Sequence, residues 1–303
     1  RSTSGWSGRG GLTKNPYILG RNPSGSSSGS AVAVSANLCA VAIGTETDGS
    51  IVCPSSTCGI VGIKPTVGLI SRAGVIPISH TQDTAGPMCR TVSDAAILLG
   101  ALTGVDPRDA ATAASQGKSQ TDYTSFLDPN GLKGKRIGVI RSEFGFNSAD
   151  DKSMAEAIDV LKKGGAEIVD PANIDSMKDM GNAEIEVLLY ELKADLNAYL
   201  ATLGPSAPVK TLKEVIDFNE KNADKELVYF GQELFIQAEE KGPLTDAKYL
   251  AAAKKCKDLA AEKGIDAVMA KHRLDAFISP TNGPAWTTDH VNRDHFVGGS
   301  STG

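Results

Sequence analysis

The stretch Ser24-Gly25-Ser26-Ser27-Ser28-Gly29-Ser30-Ala31-Val32-Ala33-Val34-Ser35-Ala36-Asn37-Leu38-Cys39-Ala40-Val41-Ala42-Ile43-Gly44-Thr45-Glu46-Thr47-Asp48-Gly49-Ser50 carries two serine-bearing loops joined by regular structure. The small apolar residues of 31–38 predict a tightly packed helix of about 12 residues, and 39–43 predict a buried strand of about 6, ended by Gly44. At ~1.5 Å per helical residue and ~3.3 Å per strand residue, the two elements span ~18 and ~20 Å. The outward and return paths match, so Ser26 and Ser50 can meet at one end of the core. Spacing permits a two-serine site without establishing it, since a Gly/Ser loop taken alone is more often a flexible connection.

Outward from this stretch, residues 1–30 are rich in Gly, Ser, Asn and Pro and read as loop. A helix is expected from Thr91 or Ser93, either of which suits an N-cap, to near Gly104. Residues 107–131 form a polar connection. Strands are expected at 136–140, 166–169 and 274–278, with a helix at 154–163 stopped by Gly164-Gly165. Residues 180–270 read as charged amphipathic helices and are expected to form a cap-like region. Alternating strands and helices imply an α/β class with a mixed central β-sheet flanked by helices.

The 303 residues are 41% hydrophobic and 22% charged, with a net charge of −5. Such a balance offers no concentrated basic face, so no nucleic-acid partner is expected. The most apolar run, 31–43, is too short for a bilayer span of about 20 residues, so no membrane association is expected. Cys39, Cys53, Cys58, Cys89 and Cys256 are odd in number and form no C-x-x-C pair. The set suits neither a disulfide framework nor a zinc site, and Cys39, Cys53 and Cys58, in apolar or loop sequence, read as small buried thiols. A cytoplasmic or periplasmic location suits this usage, and oligomeric state is not legible.

The two serine segments resemble the amidase signature, a GGSSGGS-like loop followed by GTDxGGS. Cys58-Gly59-Ile60-Val61-Gly62-Ile63-Lys64-Pro65-Thr66 and Gln82-Asp83-Thr84-Ala85-Gly86-Pro87 are similar to the next two blocks of that family. The resemblance is dense over residues 1–105, and residues 1–106 are read as the catalytic signature core of one amidase-signature domain spanning 1–303. Asp48 and Ser28 stand where most members have Gly, and Val52 where Arg is common. In these departures the chain is similar to the peptide amidase branch, as it is through Leu189-Tyr190-Glu191, Phe230-Gly231-Gln232-Glu233-Leu234 and Pro280-Thr281-Asn282-Gly283-Pro284-Ala285-Trp286.

The resemblance implies a Ser–cis-Ser–Lys triad with Ser50 as nucleophile, Ser26 as the cis-serine that shuttles its proton, and the backbone N–H groups of Thr47, Asp48, Gly49 and Ser50 as the oxyanion hole. Ser27, Thr281, Asn282 and Trp286 are implied to touch substrate. The implied reaction hydrolyses a peptide C-terminal amide or other small amide to acid plus ammonia, with neither cofactor nor metal. The family's lysine lies well upstream of the cis-serine in an apolar segment. Lys14, in loop sequence, does not suit that role, and Lys64 reads as structural. Residues 1–303 are therefore expected to lack N- and C-terminal portions of the family fold, including the lysine.

Other readings compete. Within the family, an amidotransferase A-type subunit delivering ammonia to a charged tRNA, or a non-catalytic amidase-like binding fragment, uses the same residues. Gly25-Ser26-Ser27-Ser28-Gly29 also fits a G-x-S-x-G nucleophile elbow, with Ser27 as nucleophile and His272, His290 or His295 as base, but 19–23 is not the buried strand an elbow needs. Asp289-His290 and Asp294-His295 read as surface loop rather than a metal pair.

Overall fold

The computed structural model describes residues 5–292 and 294–297. A short antiparallel ribbon of β1 (Trp6–Ser7) and β2 (Gly11–Leu12) precedes α1 (Ser28–Ser35), which leads into β3 (Val41–Glu46). Next come α2 (Val52–Thr57), β4 (Val61–Gly62), β5 (Thr84–Cys89) and α3 (Val92–Leu102). β5 lies between β3 and β4 and is antiparallel to both. Every residue of β5 is buried, so this strand is the floor on which the serine segments rest.

The expected helix and strand are both present with displaced ends. α1 starts at Ser28, before the apolar run, where the Ser28 hydroxyl donates to the Ser24 carbonyl at 2.5 Å. It stops at Ser35 because Asn37 turns the chain left-handed (φ +60°), a conformation asparagine tolerates well. β3 runs past Gly44 to Glu46, so Gly44 does not end the strand. It faces Gly86 across the ladder, and a Cβ there would press on Met88, Ser27 and Ile51. Its role is close approach, not termination. Ala31, Ile51, Cys58 and Met88 close the core between α1 and the sheet, and Ile70, Ala85 and Leu99 fill the side under α3. The Thr91 hydroxyl caps α3 by accepting from Asp94 N.

A second, parallel sheet has β6 (Arg136–Val139) between β7 (Glu167–Val169) and β8 (Ala276–Ile278). The crossover from β6 to β7 is α4 (Ser148–Lys163). It starts six residues before the expected 154 because the Asn147 side chain accepts from Ala149 N and Asp150 N, with Asp150 and Asp151 in the first turn. Carboxylates there suit a helix start but break apolar periodicity. Strands of the two directions thus occupy separate three-stranded sheets, with helices against each.

Helices α5 (Ala183–Ala201), α6 (Leu212–Lys221), α7 (Ala223–Glu226), α8 (Glu233–Glu239) and α9 (Ala247–Cys256) follow, and α9 continues through a wider-wound segment, Lys257–Ile265, into α10 (Asp266–His272). One face of α5 packs Leu189, Leu196 and Leu200 against Leu212, Ile216 and Ala238, and another packs Val187 and Tyr190 against Tyr249. Among the described residues, no helix is long and apolar enough to cross a membrane.

Glu191 of α5 ties this helical region to the first sheet. Its fully buried carboxylate accepts from Ser79 Oγ (2.5 Å), Thr81 Oγ1 (2.8 Å) and Tyr249 OH (2.7 Å). Three hydroxyl donors satisfy a charge that burial alone would make very costly. Glu191→Leu strands those hydroxyls and is expected to lower unfolding free energy by about 3 kcal/mol, read as a lower urea midpoint. Glu191→Gln, which still accepts, is expected to lose less.

Candidate active site

Ser26 and Ser50 open onto one small recess, about 30 Å³ in volume, shared with Thr45, Glu46, Thr47, Val75, Ile76, Ile78 and Asp83. That space holds about one water molecule. Ser26 follows a cis Gly25–Ser26 peptide bond, and the preceding Ser24 is left-handed (φ +61°), its N–H held by Asn22 Oδ1 at 2.7 Å. The next residue fastens the two segments together. Ser27 N–H donates to the Ser50 carbonyl at 3.2 Å, while Ser27 Oγ donates to Thr45 O and accepts from Thr45 N, both at 3.1 Å.

Glu46 shapes the loop that carries Ser50. Its buried carboxylate folds back over that loop, Oε1 accepting from Gly49 N (2.8 Å) and Oε2 from Ile51 N (2.8 Å) and Val52 N (3.0 Å). Charge-assisted bonds to backbone N–H groups are strong, and three of them fix the turn around Ser50 with Gly49 left-handed (φ +76°). Gly49 supplies the one residue for which that φ is free of steric cost. Asp83 holds the opposite wall. One oxygen accepts from Thr47 Oγ1 (2.5 Å), and the other from Ile78 N (2.8 Å) and Ser79 N (2.9 Å).

Residues 2–303 match the sequence profile of the family described as Amidase. The chain belongs to the amidase family. It is 45% identical over 281 residues to a probable amidase of Arabidopsis thaliana, covering 91% of this chain and 53% of that protein. Its fold superposes on the crystal structure of the peptide amidase from Stenotrophomonas maltophilia with a TM-score of 0.89 at 48% identity, covering 98% of this chain and 60% of that one. A structure of the peptide amidase PAM with the competitive inhibitor chymostatin gives a TM-score of 0.94 at 46% identity, covering 99% and 62%. The A-type subunit of the glutamyl-tRNA(Gln) amidotransferase of Gloeothece citriformis is 45% identical over 159 residues, which is 52% of this chain and 32% of that protein. This amidase-family chain spans about half the length of the curated amidase it matches.

The other singled-out residues sit as follows. Trp286 lies beside the segment entering the cis-serine loop, where Asn22 N–H donates to its carbonyl at 2.7 Å. Asn282 is buried with its Nδ2 donating to the Gly283 carbonyl at 2.9 Å, and neither they nor Thr281 line the serine recess. Trp286 Nε1 donates to Asp294 at 3.2 Å. No lysine is among the described residues lining the recess, and Lys14 is exposed. None of His272, His290 and His295 reaches it either, and His290 instead stacks on Tyr229 at 4.2 Å. The elbow reading thus finds no histidine beside Ser27, whose hydroxyl already bonds Thr45. Burial pushes the Cys53 thiol up to about 12, with Glu46 and Asp48 adding to the rise, and Cys58 and Cys89 up to about 11. Such thiols stay protonated near neutral pH and are poor nucleophiles.

Residue-level reading missed Glu46, quoted within its motif but given no role, and missed the 75–83 wall together with the α5 carboxylates behind it. His80 Nδ1 lies 2.9 Å from Asp195 Oδ2. The bond to Asp195 raises the His80 pKa, partial burial opposes it, and the facing charges of Glu191 and Arg72 act upward and downward respectively. A folded value above the unfolded value of about 6.5 means the pair stabilises fully below about pH 6.5. That contribution is lost as pH rises through the folded value. Melting temperature followed from about pH 5.5 to about pH 8.5 is expected to show this loss, and Asp195→Asn is expected to flatten it.

Proposed function

We propose that the protein containing this chain is an amide hydrolase that cleaves a peptide C-terminal amide or a similar small carboxamide to acid and ammonia. The observation that carries the reading is the shared recess, lined by Ser26 from one loop and by Ser50 from another whose backbone is clamped by a buried carboxylate. Ser50 Oγ attacks the amide carbon, and Ser26 Oγ takes the Ser50 proton and passes a proton to the departing nitrogen. Ammonia leaves, and water then attacks the acyl-serine along the reverse proton path. Family resemblance gives the ultimate base to a lysine upstream of Ser26.

Backbone N–H groups of the 47–50 loop are proposed to hold the oxyanion. The Gly49 N–H already donates to Glu46, so this role falls to Thr47, Asp48 and Ser50, with Gly49 acting through the clamp. Fixed donors of this kind are worth about 100- to 1,000-fold each in kcat, because they are in place before charge develops. Ser27 is proposed to act by joining the two segments, while Thr281, Asn282 and Trp286 remain proposed substrate neighbours. The hydrolase reading is preferred to an ammonia-delivering amidotransferase component because the Arabidopsis thaliana amidase matches 91% of the chain in sequence, against 52% for the Gloeothece citriformis amidotransferase subunit.

Ammonia release from N-acetylated amino-acid amides by the full-length protein tests the reading. Ser50→Ala is expected to abolish release, and Ser26→Ala to lower kcat at least about 100-fold, as for loss of a proton-transfer group. Glu46→Gln keeps the size but cannot accept three N–H bonds through charged oxygens. It is expected to lower kcat about 10- to 100-fold with little change in KM. Full activity in Ser50→Ala would remove the proposal.

A further inference from the structure

A cavity of about 450 Å³ lies behind the 75–83 wall, far larger than the serine recess. Its apolar lining is Met177, Met180, Val187, Ala253, Ala260 and Ala261, drawn from the segment before α5, from α5 itself, and from α9 with its continuation, which also brings Lys257 to the wall. The volume lies within the range of small-molecule pockets, and methionine walls adapt to apolar groups of different shape.

Two observations join this cavity to Ser50. Thr81 and Gln82 line it, and the next residue, Asp83, lines the serine recess. Asp48, two positions before Ser50, is also close enough to Glu184 on the cavity wall to help burial raise the Glu184 carboxyl pKa. The nucleophile loop and the cavity are therefore neighbours. Within the wall, Gln82 Nε2 donates to Glu184 Oε1 at 3.2 Å, while Gln82 Oε1 is buried with no hydrogen-bond partner among the described residues. A buried acceptor left open is costly unless a ligand N–H fills it.

Building on the hydrolase reading, we infer that this cavity is the side-chain pocket for the substrate. It takes the large uncharged apolar side chain of the residue whose carboxamide is cleaved, Gln82 Oε1 accepts a substrate N–H, and Asp48 with Glu184 turns acidic residues away. Apolar walls reward leucine- or phenylalanine-sized groups over hydrogen. Glu184 on the pocket wall and Asp48 in the nucleophile loop outnumber Lys257, the one cation among the described lining residues, and disfavour an aspartate side chain in the same place.

Full-length protein is assayed with N-acetylated amides of Gly, Leu, Phe and Asp, alongside Ala260→Phe and Ala253→Phe, which fill the cavity, and Glu184→Gln. Wild type is expected to favour Leu and Phe over Gly and Asp by about tenfold or more in kcat/KM. Either filling variant is expected to cut the Leu-to-Gly ratio about tenfold, and Glu184→Gln to raise the Asp-to-Leu ratio. An unchanged Leu-to-Gly ratio in both filling variants, each melting near the wild-type temperature, overturns the pocket. Calorimetric binding of N-acetyl-phenylalaninamide to Ser50→Ala separates the two readings. Binding that Ala260→Phe abolishes, without ammonia release by wild type, upholds the pocket and removes the hydrolase. Ammonia release without side-chain preference does the reverse.

Discussion

The Glu46 carboxylate, buried at the end of β3 and closed over the N–H groups of Gly49, Ile51 and Val52, is the constraint from which the site is built. A buried carboxylate persists only with its lone pairs satisfied, and here the donors come from the backbone of the loop bearing Ser50. The bonds therefore do two things at once: they neutralise the cost of burying Glu46, and they fix where Ser50 points. β3 can deliver Glu46 to this place because Gly44 and Gly86 face each other in the ladder, letting the sheet lie close under Ser27 and Ile51.

From that loop a line of polar contacts runs outward. Thr47 bonds Asp83, Asp83 holds the backbone of Ile78 and Ser79, and Ser79 reaches Glu191 on α5. Tyr249 of α9 meets the same carboxylate. The helical region is thus fastened to the wall of the serine recess by side chains, and the larger cavity opens between α5, α9 and that wall. Local networks of fully satisfied groups hold geometry better than isolated pairs, because each bond polarises its neighbour. Substrate selection and catalytic geometry would accordingly share one set of supports.

Much of this was legible in the order of residues. The helix-out, strand-back order between Ser26 and Ser50 brings the serines to one recess, although α1 has 8 residues, not the roughly 12 that would match the 6-residue strand in length. The alternation beyond residue 130 marks the β6–α4–β7 unit. Gly44 misled because glycine signals both strand ends and close packing, and only the facing strand distinguishes them. The start of α4 was hidden by Asp150 and Asp151, which stabilise a first turn while breaking the apolar period. The Thr47–Asp83 and Ser79–Glu191 bonds join residues 36 and 112 positions apart. Hydrogen bonds at such separations leave no periodicity to read. Glu46 is the nearer omission: an acidic residue inside a Gly/Thr/Ser loop has few reasons to be there besides accepting backbone N–H groups.

On the proposed mechanism, the clamped loop presents Ser50, and not its serine neighbours, as the nucleophile. Treatment of the full-length protein with a fluorophosphonate, followed by peptide mass mapping, distinguishes these serines. A single phosphonyl adduct on Ser50, absent from Ser50→Ala and formed more slowly in Glu46→Gln, is the predicted result. An adduct on Ser27, or an unlabelled Ser50 in protein that still releases ammonia, would rule Ser50 out as the nucleophile.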